Sequence, residues 1–142
     1  MFSHALMQPM VILLAWTMVM FLWMYATRIP ALLRSGTDLK AMRGTTGRSL
    51  DDVLPPEVQW KAHNYNHLLE QPVLFYAVCL LLIAATVESR TAVALAWTYV
   101  VLRIAHSLVQ ATVNVVRVRF AIFFAGSLAL MGLIVIAAQA AF

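Results

Sequence analysis

Long stretches without charge are the feature that most constrains how this chain folds. No Asp, Glu, Lys, Arg or His occurs in residues 5–27, 71–87 or 120–142. Residues 91–112 form another largely apolar stretch, which Arg103, His106 and Gln110 interrupt. Because a helix needs about 20 apolar residues to cross the hydrocarbon core of a bilayer, the sequence predicts four transmembrane helices.

The composition agrees with a lipid environment. The 142 residues are 63% hydrophobic and 11% charged, whereas soluble domains are about 45–50% apolar and about 25% charged. A soluble domain and a large extramembranous domain are both excluded. We predict an all-α membrane protein with one domain, 1–142, and spans at about 7–28, 62–87, 91–112 and 120–140, separated first by a cytoplasmic loop at about 29–56. The first span is too long for a cleaved signal peptide.

Basic residues predict how the chain is oriented in the membrane. Six of the ten precede or begin the second span and two precede the fourth: Arg28, Arg34, Lys40, Arg43, Arg48, Lys61, Arg117 and Arg119. Cytoplasmic loops collect Lys and Arg, so both termini are expected on the non-cytoplasmic side. This asymmetry accounts for the net charge of +4, and no nucleic-acid partner is predicted.

Two prolines predict the shape of the second span. Pro56 suits the first turn of a helix that enters the membrane part-way along its length. Pro72 removes a donor that would have bonded the carbonyl of Leu68, so we expect a local kink. Cys79 is the single cysteine and is interpreted as a packing residue, as are the small residues Ala125, Ala129 and Gly132 of the fourth span.

Polar residues recur every three or four positions along the third span and therefore lie on one face of the helix. They are Arg103, His106, Gln110, Asn114 and Arg117. A stripe of the same spacing marks the second span: His63, Asn66 or His67, and Glu70. Glu70 and Arg103 both fall roughly 12 Å from the inner ends of their spans, so we expect them to meet.

Two interpretations of these stripes stay open. A buried pair of Glu70 and Arg103 would fix helix packing and do nothing more. The further polar residues on the cytoplasmic half exceed what one ion pair needs, and they favour a pocket for a polar, anionic ligand. Those residues are Lys61, His63, Asn66, His106, Gln110 and Arg119.

The residues from Lys61 to Phe75, KAHNYNHLLEQPVLF, resemble the second-helix signature of the MAPEG family, the membrane-associated proteins in eicosanoid and glutathione metabolism. Arg103-Ile-Ala-His106 in span three and Arg119 followed by Phe123-Phe124 extend the resemblance to nearly the whole chain. The resemblance implies a four-helix bundle assembled as a homotrimer. It also implies that glutathione, as co-substrate, binds between protomers near the cytoplasmic face.

The residues that match the family motifs give a candidate site. The predicted glutathione-binding residues are Lys61, His63, Asn66, Glu70, His106, Gln110 and Arg119, and the predicted catalytic residue is Arg103. Either Arg28 or Arg34 matches an arginine at the inner end of the first helix. No metal site is predicted. A guanidinium favours the thiolate, the nucleophilic form of a thiol, so Arg103 is expected to activate glutathione toward a lipophilic electrophile or hydroperoxide from the bilayer.

The sequence departs from the family pattern at two positions. Glutathione-using members carry a tyrosine one or two turns after the span-three arginine, where this chain has Gln110. Their asparagine stands three residues before the glutamate, where this chain has His67. These changes favour an alternative, a catalytically silent homologue that binds lipid or serves as a structural partner. A small drug exporter would need an acidic residue in span one, which has none.

Overall fold

In a computed structural model, which describes residues 2–142, the chain forms five α-helices and no strand over that range. The helices are α1 (Phe2–Arg34), α2 (Pro56–Leu68), α3 (Pro72–Ala84), α4 (Arg90–Ala111) and α5 (Val116–Ala141). A short 3-10 helix, Gly47–Leu50, lies in the loop between α1 and α2. Four helical segments are long and apolar enough to span a membrane, with α2 and α3 together forming the second. The predicted all-α, four-span fold is confirmed.

Local sequence signals account for several helix ends. α2 begins at Pro56, whose missing N–H would have had no intrahelical acceptor in the first turn. α4 begins after Ser89, whose hydroxyl accepts a hydrogen bond from the Ala92 N–H at 3.2 Å. α1 continues through Pro30 to Arg34, beyond the predicted end of the first span near residue 28.

The second span breaks where only a kink was expected. α2 ends at Leu68 and α3 begins at Pro72, and the backbone between them forms turns in which the Leu69 N–H bonds the Asn66 carbonyl at 3.0 Å. Pro72 has no N–H for the Leu68 carbonyl, and in a continuous helix its ring would clash with that carbonyl. The break leaves carbonyl groups of the last α2 turn open to other donors.

Tight contacts between apolar side chains hold the helices together. α4 contacts α1, α2 and α5. The rings of Phe75 on α3 and Tyr99 on α4 stack with centroids 4.7 Å apart, and both side chains are fully buried. A Cβ on Gly132 would lie 2.9 Å from Leu95 Cδ1, so this glycine permits α4 and α5 to approach closely. Cys79 is buried in the same core.

A buried polar contact joins three helices inside the bilayer-spanning region. Ser107 Oγ accepts hydrogen bonds from Trp16 Nε1 at 2.9 Å and from Asn64 Nδ2 at 2.5 Å. Ser107 and Asn64 are both fully buried. With no water in the hydrocarbon core, each of these donors depends on the serine oxygen, so the contact fixes how α1 and α2 rotate against α4.

Ser107→Ala is therefore expected to lower the free energy of unfolding in detergent by about 1 kcal/mol, because the indole and amide donors lose their acceptor. Thr98→Val is the control, since the exposed Thr98 hydroxyl bonds only the Ala94 carbonyl of its own helix, at 2.9 Å. The control should change stability by less than about 0.5 kcal/mol. Chemical unfolding followed by circular dichroism measures both, and equal effects would contradict a role for Ser107 in joining the helices.

Candidate functional site

Arg103 lies at the break in the second span. Its side chain is 3% exposed, and Nη2 donates to the His67 carbonyl at 2.7 Å and to His67 Nδ1 at 2.9 Å. The guanidinium thereby caps the C-terminal end of α2, where the helix dipole places negative partial charge. The His67 carbonyl lies in the last turn of α2 and also accepts the Glu70 N–H at 3.4 Å.

The expected ion pair between Glu70 and Arg103 does not form. Glu70 is exposed, and within residues 2–142 no salt bridge or hydrogen bond joins it to Arg103. Because residues 69–71 form turns, Glu70 lies outside α2; it lines a polar cavity with His63 and His67, whereas the guanidinium bonds His67. His67 occupies the position beside Arg103 instead.

Two of the three guanidinium nitrogens of Arg103, Nε and Nη1, are buried without a hydrogen-bond partner among the described residues. A charge at bilayer depth costs about 2.5–3.5 kcal/mol on insertion scales, and leaving a buried donor unpaired adds about 1–3 kcal/mol. The guanidinium sits 5.6 Å from the centroid of the Phe123 ring. A narrow cleft beside it is also lined by Tyr99 and Gly126. The cleft has no room for a water molecule and both nitrogens are enclosed, so an anion would reach these donors only if the surrounding side chains moved.

His67 and His106 form an aromatic cluster with Phe123 around the guanidinium. The two imidazole centroids are 5.0 Å apart, and Phe123 lies 5.5 Å from the His67 ring and 6.0 Å from the His106 ring. His106 was predicted as a site residue, whereas His67 was only an alternative to Asn66 on the stripe. The sequence signal that pointed to His67 as a site residue is its position three residues before Glu70.

A polar cavity of about 200 Å³ opens between α2, the C-terminal part of α1 and the α1–α2 loop. It brings together four predicted residues with His67 and two arginines: His63, Asn66, Glu70, Gln110, Arg28 and Arg48. Arg34, the other candidate from the first helix, is exposed and lines a different groove beside Pro30 and Pro55. The mixed charges of the cavity match a ligand that carries both carboxylates and an ammonium group.

A second cavity, of about 250 Å³, lies between α4 and α5. It brings together the predicted residues His106, Gln110 and Arg119 with His67 and Phe123. His67 and Gln110 line both cavities. Phe120, which is 67% exposed, borders the second cavity. The cavity therefore combines polar lining residues with an apolar rim.

Lys61 lies apart from both cavities. Its ammonium donates to the Glu57 carbonyl at 2.7 Å and sits 5.6 Å from the centroid of the Trp23 ring. The residues that line the cavities do not include it. A basic residue at this point of the sequence therefore packs against α1 in the isolated chain.

Gln59 anchors the loop that borders the polar cavity. Its Oε1 accepts from Arg28 Nη2 at 2.9 Å, while Nε2 donates to the Gly47 carbonyl at 3.2 Å and to Asp51 Oδ1 at 2.5 Å. Asp51 Oδ1 is also 3.0 Å from His63 Nε2. The hydrogen bond from Gln59, reinforced by His63, lowers the pKa of Asp51 below its ordinary value of 3.8. Sequence reasoning identified neither Gln59 nor Asp51.

A comparison with protein families matches the MAPEG family over residues 6–139. The chain belongs to the MAPEG family. Comparisons with curated proteins and with solved structures give no match. In this MAPEG protein the span-two motif surrounds the break in the helix, with His67 before it and Pro72 after it.

Asp51→Asn is expected to release the 3-10 helix from α2, because the amide is a weaker acceptor than the carboxylate for Gln59. We expect trypsin cleavage after Arg48 to rise several-fold relative to cleavage after Arg43, which lies outside that helix. Asp52→Asn is the matched control, since the exposed Asp52 has no hydrogen bond or ion pair in the range that the structure describes. Cleavage ratios that do not differ between the two variants would rule out the anchor.

The same contact sets a pH dependence. Because folding lowers the pKa of Asp51, its stabilisation is fully present above the ordinary value of 3.8 and is lost as the pH falls below it. Amide hydrogen exchange in residues 47–54, corrected for intrinsic rates, should therefore keep its protection above about pH 4 and lose it progressively as the pH falls below the ordinary pKa of 3.8. The Asp51→Asn variant should lack this change.

Proposed function

We propose that this MAPEG protein binds glutathione at its cytoplasmic side and conjugates it to a lipophilic electrophile or uses it to reduce a hydroperoxide from the bilayer. The observation that carries the proposal is Arg103, a buried guanidinium with two unpaired nitrogens and no carboxylate partner among the described residues. A guanidinium in this environment favours an anionic ligand.

The charges around the polar cavity support a zwitterionic peptide as the ligand. Glutathione carries two carboxylates and one ammonium. Among the residues that line the cavity, Arg28 and Arg48 offer donors for carboxylates, and Glu70 offers an acceptor for the ammonium. In the proposal Asn66 and His63 complete the polar lining of this cavity.

Arg103 would act on the thiol. A free thiol has a pKa of about 8.5 and reacts mainly as the thiolate. Donors at Nε and Nη1 that lack partners in the described chain stabilise the charged form, and low dielectric strengthens that effect. Arg103 is the proposed catalytic residue for this reason, with His106, Gln110 and Arg119 as proposed contacts from the second cavity.

The lipophilic substrate would reach the site through the apolar rim of the second cavity. Phe120 and Phe124 stack with centroids 6.3 Å apart and are 67% and 55% exposed. Exposed aromatic and aliphatic side chains of a spanning helix contact lipid or another helix. We propose that the chain is a homotrimer with both termini on the non-cytoplasmic side, and that neighbouring protomers complete the site, where Lys61 would join it.

A catalytically silent homologue is the second candidate, and Gln110 favours it. Gln110 is buried and its Oε1 has no hydrogen-bond partner in the described chain. A carboxamide has no ionisable phenol with which to assist a thiolate. In this alternative the same cavities bind a lipid, or the chain stabilises a membrane assembly, without turnover.

Arg103→Lys is expected to weaken glutathione binding by about 10- to 100-fold, because lysine keeps the charge and loses the donors at Nε and Nη1. The ultraviolet absorbance of bound thiolate should fall with it. Calorimetry and absorbance in detergent measure the two effects, with a standard electrophile assay for turnover. Arg117→Lys, at an exposed residue of α5, is the matched control and should resemble the wild-type protein.

Unchanged affinity and absorbance in Arg103→Lys would remove Arg103 from the proposed site. Binding without turnover by the wild-type protein would favour the silent homologue, and no binding at millimolar glutathione would contradict the glutathione proposal.

The proposed trimer is tested by mass. Light scattering or native mass spectrometry of the protein in mild detergent should give three times the protomer mass of 15.8 kDa. A trimer buries apolar side chains that the single chain exposes, such as Leu22 on α1 and Val73 and Leu81 on α3. A monomer across a range of protein concentrations would contradict both the trimer and a site shared between protomers.

A further inference from the structure

The hydrogen bond between Arg103 and His67 fixes the protonation state of the histidine. Arg103 Nη2 lies 2.9 Å from His67 Nδ1, and a guanidinium nitrogen donates and never accepts. His67 Nδ1 must therefore be the acceptor and carry no proton. The ring is the neutral tautomer, with its single proton on Nε2.

The opposite edge of the His67 ring is available to a ligand. Nε2 has no hydrogen bond to any residue in the described range 2–142 and is not fully enclosed. His67 is half-buried and lines both the polar cavity and the cavity between α4 and α5. Its Nε2–H is a donor at the wall that the two cavities share.

We infer that His67 orients Arg103 through Nδ1 and donates a hydrogen bond from Nε2–H to the carbonyl oxygen of the second substrate, which makes conjugated carbonyl compounds the preferred electrophile. This inference rests on the proposed function. Arg103 stabilises the attacking thiolate, and the adjacent His67 stabilises the charge that the attack creates. The hydrogen bond between Arg103 and His67 thus holds the group that stabilises the thiolate next to the group that stabilises the charge on the substrate oxygen.

The addition step balances without another reactant. The thiolate sulfur forms a bond to the β-carbon of the conjugated carbonyl compound, and the π electrons of the C=C bond move to give an enolate. The enolate oxygen accepts the hydrogen bond from His67 Nε2–H, and water then protonates the α-carbon. Hydroxide from that water takes up the proton released when the thiol ionised, so no net charge accumulates.

His67 does not supply the proton in this scheme. Loss of the Nε2 proton from the neutral ring would leave an imidazolate, which is far too basic to form at neutral pH. Donors aimed at a developing oxyanion lower the barrier without proton transfer, and a neutral imidazole serves this purpose elsewhere in enzymes. An electrophile that loses a halide and has no oxygen gains nothing from such a donor.

Two substitutions test the acceptor role of Nδ1 and the donor role of Nε2–H separately. Asparagine places its carboxamide near Nδ1, so His67→Asn keeps an acceptor for Arg103 and loses the Nε2–H donor. Glutamine places its carboxamide near Nε2, so His67→Gln keeps the donor and loses the acceptor. Each variant is assayed with an unsaturated ketone and with a benzylic halide of similar size. Calorimetry and thiolate absorbance report glutathione binding independently.

For His67→Asn we expect kcat/KM with the unsaturated ketone to fall by about 10- to 100-fold, while turnover of the benzylic halide and thiolate absorbance stay within about threefold. For His67→Gln we expect thiolate absorbance and turnover of both electrophiles to fall together, because Arg103 loses its Nδ1 acceptor. His4→Asn, at an exposed residue of α1, is the control and should match the wild-type protein.

The outcomes distinguish this inference from the function it rests on. Equal losses with both electrophiles in His67→Asn, or no loss with either, overturn the donor role of His67. Turnover of the benzylic halide but not the unsaturated ketone by the wild-type protein also overturns it and leaves the proposed function standing. A wild-type protein that turns over neither electrophile overturns the proposed enzyme and this inference with it.

Discussion

The two hydrogen bonds that Arg103 donates to His67 connect the fold of this protein to its candidate site. One reaches a main-chain carbonyl at the C-terminal end of α2, and the other reaches the imidazole of the same residue. That carbonyl lies in the last turn of α2, which ends at Leu68 and leaves few backbone donors for its final carbonyl groups. The end of α2, the His67 side chain and the Arg103 guanidinium therefore form one hydrogen-bonded arrangement.

The free energy of that arrangement supports the proposed preference for an anionic ligand. The dipole of α2 stabilises the guanidinium by about 0.3–2 kcal/mol, and a hydrogen bond that involves a charged group contributes about 1.5–3 kcal/mol. These terms are comparable to the insertion cost of the charge, about 2.5–3.5 kcal/mol. They do not offset the additional cost of leaving Nε and Nη1 buried without hydrogen-bond acceptors. A bound carboxylate or thiolate would pair with donors that the described protein leaves unpaired.

The rest of the fold keeps these groups in place. The Ser107 contact sets the rotation of α2 against α4, and it lies one turn along α4 from Arg103. Gln59 holds the 3-10 helix against α2 at the border of the polar cavity. Both contacts involve buried polar side chains in a chain that has few of them, which is the pattern expected where apolar packing alone does not define orientation.

The four spans and the polar stripe of α4 followed from the sequence, because span length and helical periodicity are local properties. The stripe placed Arg103, His106 and Gln110 on one buried face, and all three side chains are buried. The partner of Arg103 did not follow, because periodicity assumes a continuous helix and the second span breaks at residues 69–71. Gln59 and Asp51 carried no periodic signal, since a loop contact depends on how the chain folds back.

The sequence by itself determined that the chain is helical, membrane-spanning and marked by a few charges at bilayer depth, since each of these properties depends on residues close together in the chain. Only the tertiary structure decided that Arg103 contacts His67 and that Glu70 stays exposed. A one-residue change in the register of a helix turns a side chain by about 100°. Because residues 69–71 form turns, helical periodicity alone did not decide whether His67 or Glu70 contacts the guanidinium.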